Sequence, residues 1–119
     1  MPIQMQTEYG NVHVTDDVIA LLAGSAAIEC YGLVGMASRN QLKDGIAELL
    51  GFDNLGRGIE VRREHGALHI DLYIIVSYGT KIPEVSHIVQ NRVKYVLHEV
   101  VGLQVDVINI FVQDVRVTS

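Results

Sequence analysis

Between Ala67 and Tyr78 the chain alternates with a strict period of two. Leu68, Ile70, Leu72, Ile74, Val76 and Tyr78 fall on one face of an extended strand, and His69, Asp71, Tyr73, Ile75 and Ser77 on the other. A strand this long and apolar has to lie inside a sheet and carry a layer of helix on its apolar face. From Pro83 the period changes. Val85, Ile88 or Val89, Val93, Val96 and Val100 form a helical stripe, and His87, Asn91, Lys94 and His98 form the opposite one. Pro83 at the first helical position and Gly102 just past the end predict a helix over Pro83–Val101.

The remaining elements fit around this pair. "YGNVHVTDD" predicts a short strand at Asn11–Val14 and then a helix over Asp16–Glu29. Thr15 is its N-cap, and Asp16 and Asp17 lie where the helix dipole favours acid. "ALLAGSAAI" is made of small residues, so neighbouring backbone is expected to approach this helix closely. Gly32 is expected to close it, and "LVGMAS" to follow as a buried strand. "ECYGL" and "EVVGL" end the two helices alike, which is read as one capping solution used twice. Leu42, Ile46, Leu49 and Leu50 suggest a further helix, and "DNLGRG" a loop. "GIEVRREHGALHIDLYIIVSY" is two strands about a turn at Glu64–Gly66. In "LQVDVINIFVQDVRV" the alternation changes phase near Val107-Ile108 and again after Val112, so a bulge or bend belongs there.

The expected fold is a two-layer α+β domain spanning residues 1–119. A mainly antiparallel sheet of four to five strands packs against two main helices, in the order β-α-β-(α)-β-β-α-β. The strand Ala67–Tyr78 is expected at its centre.

Composition excludes several classes of function. The chain has 119 residues, 49% of them apolar, and a net charge of −5. That balance argues against nucleic acid and against direct binding to anionic lipid, both of which need clustered Lys and Arg. The "GLVG" at Gly32–Gly35 has the spacing of a nucleic-acid-gripping loop, but Leu and Val fill it. The apolar region Val18–Ala37 is broken by Gly24-Ser25 and Glu29, so no direct membrane insertion is expected. No secretory signal is visible at the N-terminus, and a cytoplasmic location is expected.

No catalytic residue, metal site or cofactor is expected. Cys30 is the one cysteine and sits at a helix C-terminus, where the dipole disfavours a thiolate. His87 and His98 share a helical face but stand roughly 16 Å apart, too far for one metal. His65 and His69 flank a turn with only Asp71 nearby. Asp71, Asp106 and Asp114 are scattered over strands, and no nucleotide, hydrolase or zinc-protease motif occurs.

The junction "SYGTKIPEV" is the exception to this blandness. Gly79 frees the backbone and Pro83 starts a helix, but Ile82 cannot cap it. Thr80 is expected to cover one orphan N–H, leaving others beside Lys81. A partner-docking surface is therefore expected on Gly79, Thr80, Lys81, Pro83, His87, Asn91, Lys94 and His98.

The run "IIVSYGTKIPEVSHIVQNRVKYVLHEVVGLQVDVINIFVQDVRV" resembles the alkaline-shock-protein, or Gls-type envelope stress response, family of Gram-positive bacteria. The resemblance rests on Tyr78-Gly79, Ile82, Glu84-Val85, Val89-Gln90, Val93, Gly102-Leu103, Val107, Asn109 and Val112-Gln113-Asp114-Val115. "GNVHVTDDVIALLAGSAAIECYGLVGMA" extends it over nearly the whole chain, and "CYGLVGMASRNQLKDGI" and "DLYIIVSYGTKI" are nearest to the YloU-like branch.

The resemblance implies a small, mostly cytoplasmic protein without enzyme activity, acting in the envelope or alkaline stress response. It further implies that such a protein is held near the membrane by a separate anchor protein. A homo-oligomer is expected on other grounds. The strand Leu103–Val117 is long and rich in Val and Ile, its apolar positions cannot all face one core after the phase change, and an unpaired edge of this kind invites pairing. A second reading is a small-molecule or lipid-related binding module working with a dihydroxyacetone-kinase-like fatty acid kinase. The long charged tails of some such proteins are not seen here, so anchoring through a tail is not expected.

Overall fold

The structure is a computed structural model that describes residues 3–38 and 50–117. Strands β1 (Ile3–Thr7) and β2 (Gly10–Val14) form an antiparallel hairpin of their own. Helix α1 (Asp16–Ile28) comes next, then strand β3 (Leu33–Met36). A 3₁₀ stretch, Phe52–Gly58, leads into β4 (Ile59–Glu64) and β5 (Ala67–Ser77). Helix α2 (Ile82–Val96) runs on into a π-helical turn, Leu97–Val101, and the chain closes with β6 (Val107–Arg116).

Strand β5 is the centre of a four-stranded, mixed sheet. β4 pairs antiparallel with residues 67–72 of β5, and β3 antiparallel with 74–76. β6 runs parallel to β5 alongside residues 69–77, opposite both partners. A strand has two edges, so β3 and β4 lie end to end on one and β6 occupies the other. The α+β class and the central place of β5 agree with the alternation that suggested them. Three of the four strand pairings are antiparallel; the β5–α2–β6 crossover makes the fourth parallel, as such a connection must.

The core explains why both helices lie on one face. Leu68, Ile70, Leu72, Ile74 and Val76 meet Ile19, Ala23 and Ala27 of α1 and Val85, Val89 and Val93 of α2 in one buried cluster. The small residues of α1 admit close neighbours: a Cβ added to Gly24 would stand 3.1 Å from that of Leu55. Thr15 caps α1 as expected, its Oγ1 accepting from Val18 N–H at 3.4 Å.

Several elements differ from the sequence expectation. β1 is an addition to the expected order. α1 stops at Ile28, with Glu29 still in right-handed geometry, so Gly32 does not cap it. Gly32 instead takes φ +88° in the turn into β3, where a Cβ would sit 2.6 Å from Val85 Cγ2. "DNLGRG" is 3₁₀ rather than an open loop, and it buries Leu55. The inward stripe of the last helix ends on Leu97 and Val101, while Val100 is 64% exposed. The π turn accounts for this, because it holds more than the α-helical 3.6 residues and rotates the positions after it. Gly102 closes that turn at φ +75°, with Leu103 N–H reaching Leu97 C=O at 3.1 Å. In β6 the register slips between Val112 and Asp114, which makes Gln113 the bulge anticipated after Val112. The helix suggested by Leu42, Ile46 and Leu49 lies outside the described residues. Leu50 is buried, and its N–H donates to Met36 C=O.

Candidate functional site

The strand-to-helix corner is built by backbone geometry. Thr80 Oγ1 donates to Ser77 C=O at 2.6 Å, and Gly79 takes φ +92° to let the chain turn there. The Thr80 hydroxyl thus serves the last carbonyl of the strand and leaves the helix uncapped. Lys81 is the N-cap residue, with no capping side chain, and Pro83 lies in the first turn. Lys81, Ile82 and Pro83 are exposed. Thr80 and Ser77, with Tyr31, Gly32, Leu33 and Val34, line an open cleft of ≈ 450 Å³.

The polar stripe of α2 forms a separate group. His87 Nε2 and Asn91 Nδ2 lie 3.1 Å apart, one turn from each other. Asn91, Lys94 and His98 then line a second open cleft, ≈ 330 Å³, completed by Tyr95 and by Leu103, Gln104 and Val105 from the segment after α2. Its floor is apolar, since Val105 is buried and Leu103 half-buried. Its rim carries the exposed Lys94, with no described carboxylate in ion-pair range, and the exposed His98, whose Nδ1 lies 3.6 Å from Glu99 Oε1. Arg92 binds Glu29 at 3.2 Å, and its guanidinium stands 5.9 Å from the centre of the Tyr95 ring. Pro83 and His98 are a helix length apart, about 22 Å by helical rise. The structure therefore brings Asn91, Lys94 and His98 together with His87 beside them, and places Gly79, Thr80, Lys81 and Pro83 at the other end of α2.

Tyr95, Leu103, Gln104 and Val105 were not among the residues expected here. Tyr95 falls between the stripes. The other three come from the other side of Gly102, and only the Schellman-type turn folds them back beside α2.

The carboxylates hold the fold together. Asp71 accepts from Arg62 Nε (2.8 Å) and Nη2 (3.1 Å) and from Asn109 Nδ2 (2.9 Å). Burial pushes its carboxyl up, but those hydrogen bonds and the Arg62 charge outweigh it and hold the group below its usual range. Asp106 Oδ2 accepts from Leu68 N–H at 2.7 Å, and Asp114 holds Arg116 and Val115 N–H. Asp16 binds Arg63, whose hydrogen bonds lower its carboxyl. Burial raises the Cys30 thiol, whose Sγ donates to Ala26 C=O at 3.6 Å. Among the described residues, no three His, Cys, Asp or Glu side chains converge as metal ligands.

The chain matches the profile of the alkaline shock protein family, described by a cell envelope-related function, over residues 4–117. It belongs to that family. YloU of Bacillus subtilis is 56% identical over 119 residues, which is 100% of this chain and 99% of that protein. Spy1614 of Streptococcus pyogenes is 39% identical over 100% of this chain and 98% of its own length. YqhY of Bacillus subtilis is 32% identical over 92% of this chain and 80% of its own. No solved structure matches. The family is the one to which the sequence resemblance pointed, and its envelope-related description names no reaction. Among the described residues no helix is long and apolar enough to cross a membrane.

Proposed function

We propose that this protein serves the cell envelope without chemistry of its own, by self-association and by docking a protein partner on α2. The reading places it in the cytoplasm, near the membrane through an anchor protein or a kinase-type partner. The observation that carries it is the cleft beside α2: an apolar floor of Leu103 and Val105, the exposed Tyr95 ring, and the exposed Lys94 on the rim. An aromatic residue beside an apolar seat, with charge confined to the rim, is the composition of a protein-binding patch.

The alternative, a binding module for a small or lipid-related molecule, calls for an enclosed apolar pocket. Both described clefts are open to solvent, which favours a protein surface.

The test is capture from native cytosol, with partners identified by mass spectrometry and then titrated directly. Wild type is compared with Lys94→Glu and with Lys81→Glu. Loss of a named partner in Lys94→Glu, with folding intact, is the expected result. Unchanged affinity in both variants would remove α2 as the docking surface.

A further inference from the structure

The outer edge of β6 has a definite pattern of used and unused backbone groups. Odd-numbered residues of β5 bond towards β3: Ala37 N–H donates to Tyr73 C=O, and Ser77 N–H to Gly32 C=O. Even-numbered residues of β5 bond towards β6: Leu68 C=O accepts from Asp106 N–H, and Tyr78 N–H donates to Arg116 C=O. Asp106 lies just before β6 and is the entry into it; within the parallel ladder the even residues bond to the β6 residues registered with their odd neighbours. These are Val107, Asn109, Phe111, Asp114 and Arg116. Ile108, Ile110, Val112 and Val115 therefore turn their N–H and C=O groups away from the sheet.

Both ends of this outward row are closed within the chain. Gln90 Nε2 donates to Ile108 C=O at 2.9 Å, and Val115 N–H is taken by its neighbour Asp114 Oδ1 at 2.8 Å. Between them Ile110 lies at the middle of Ile108–Val112, with no described partner for its N–H or C=O. The Gln113 bulge ends the regular stretch on one side. The run Val107–Val112 contains no Lys and no Pro, the residues that keep an edge from pairing.

We infer that this edge pairs with the same edge of a second copy, antiparallel, about a two-fold axis at Ile110. The inference rests on the self-association proposed above and supplies its interface. A second copy is the occupant because it brings the same half-buried Ile108, Ile110 and Val112 to meet this row, and they are brought into register by a two-fold. It sets Ile110 opposite Ile110 and Ile108 opposite Val112, so every unused donor meets an unused acceptor without any outside group. The Ile110 pair exchanges two hydrogen bonds, and each Ile108–Val112 pair two more. On the helix side the side chains that meet are all Ile and Val. On the open side Asn109 faces Phe111, whose ring is 42% exposed in the single chain. The carbonyl of Ile108 has a second lone pair for the partner beside its bond from Gln90.

Two measurements test it. Light scattering of the wild-type chain over micromolar concentrations should give the mass of two chains. In a Cys30→Ala background, Asn109→Cys and Phe111→Cys proteins are then mixed and oxidised. Residues 109 and 111 face each other as a non-hydrogen-bonded pair, with Cα atoms about 4.5 Å apart, within disulfide reach. The mixture should cross-link at least tenfold faster than either protein alone. Amide exchange on the wild-type chain gives the same register without substitution: Ile110 N–H, which faces away from β5, should slow as concentration rises. A monomer at all concentrations would overturn both the register and the self-association. A dimer with no preference for the mixed cross-link and no protection at Ile110 would overturn the β6 interface alone and leave self-association through another face.

Discussion

Arg62 grips Asp71 with two nitrogens, Nε at 2.8 Å from Oδ2 and Nη2 at 3.1 Å from Oδ1, across the β4–β5 ladder. The same carboxylate takes Asn109 from β6, so one buried side chain ties together the three strands at that level of the sheet. Asp71→Ala should remove this tie and leave Asn109 Nδ2 and the Nε and Nη2 of Arg62 without that acceptor, while Arg62 Nη1 keeps Glu64. The expected loss is about 1–3 kcal/mol, read by urea unfolding. A loss indistinguishable from zero would mean that solvent replaces the carboxylate without cost.

The Asp71 and Asp16 carboxyls are both held below their unfolded range. The unfolded chain therefore binds more protons than the folded one in the acid window, and stability rises with pH there. The contribution is complete above the unfolded carboxylate value, about 4. It is lost as pH falls through the lower folded values. Urea midpoints should fall as the pH drops from about 5 into the acid range below the unfolded carboxylate value, and Asp71→Asn should flatten that slope. An unchanged slope in the variant would take Asp71 out of the account.

Gly32 packs the turn into β3 against the start of α2, where a Cβ would stand 2.6 Å from Val85 Cγ2. Gly32→Ala should cost more than the roughly 1–2 kcal/mol of a left-handed residue alone, because the new methyl also meets Val85 Cγ2. Gly51→Ala, with open space at its Cβ position, is the control and should change the melting temperature little. Equal effects from the two would contradict the close packing at Gly32.

These contrasts show what a single sequence can carry. The β5 alternation was legible because every second residue from Leu68 to Val76 is apolar and every one of them is buried. The bulge at Gln113 was legible for the same reason, as a change of phase. The stripe of α2 was misread at Val100, because a π turn shifts the helical period without any marker in the residues themselves. β1 was missed, since the polar-rich IQMQT segment pairs only with its own hairpin partner and shows no long apolar pattern. The polar stripe His87, Asn91, Lys94 and His98 could be read from spacing. The apolar floor beneath it could not, because Leu103 and Val105 reach it only after the chain has reversed at Gly102.

Lys81→Glu and Lys94→Glu should each change unfolding free energy by less than about 0.5 kcal/mol, since both side chains are exposed. Their effects on partner affinity should differ, because one lies at the corner and the other on the rim of the apolar cleft. Equal losses would extend the docking surface along the whole of α2.

The central claim, that α2 and the segment after it receive a protein partner, is tested most directly by amide exchange on the complex with the captured partner. Residues 91–105 should gain protection when the partner is added, and Tyr95→Ala should abolish that gain while the free protein keeps its own exchange pattern. Protection confined to other elements, with 91–105 exchanging as in the free chain, would contradict the account.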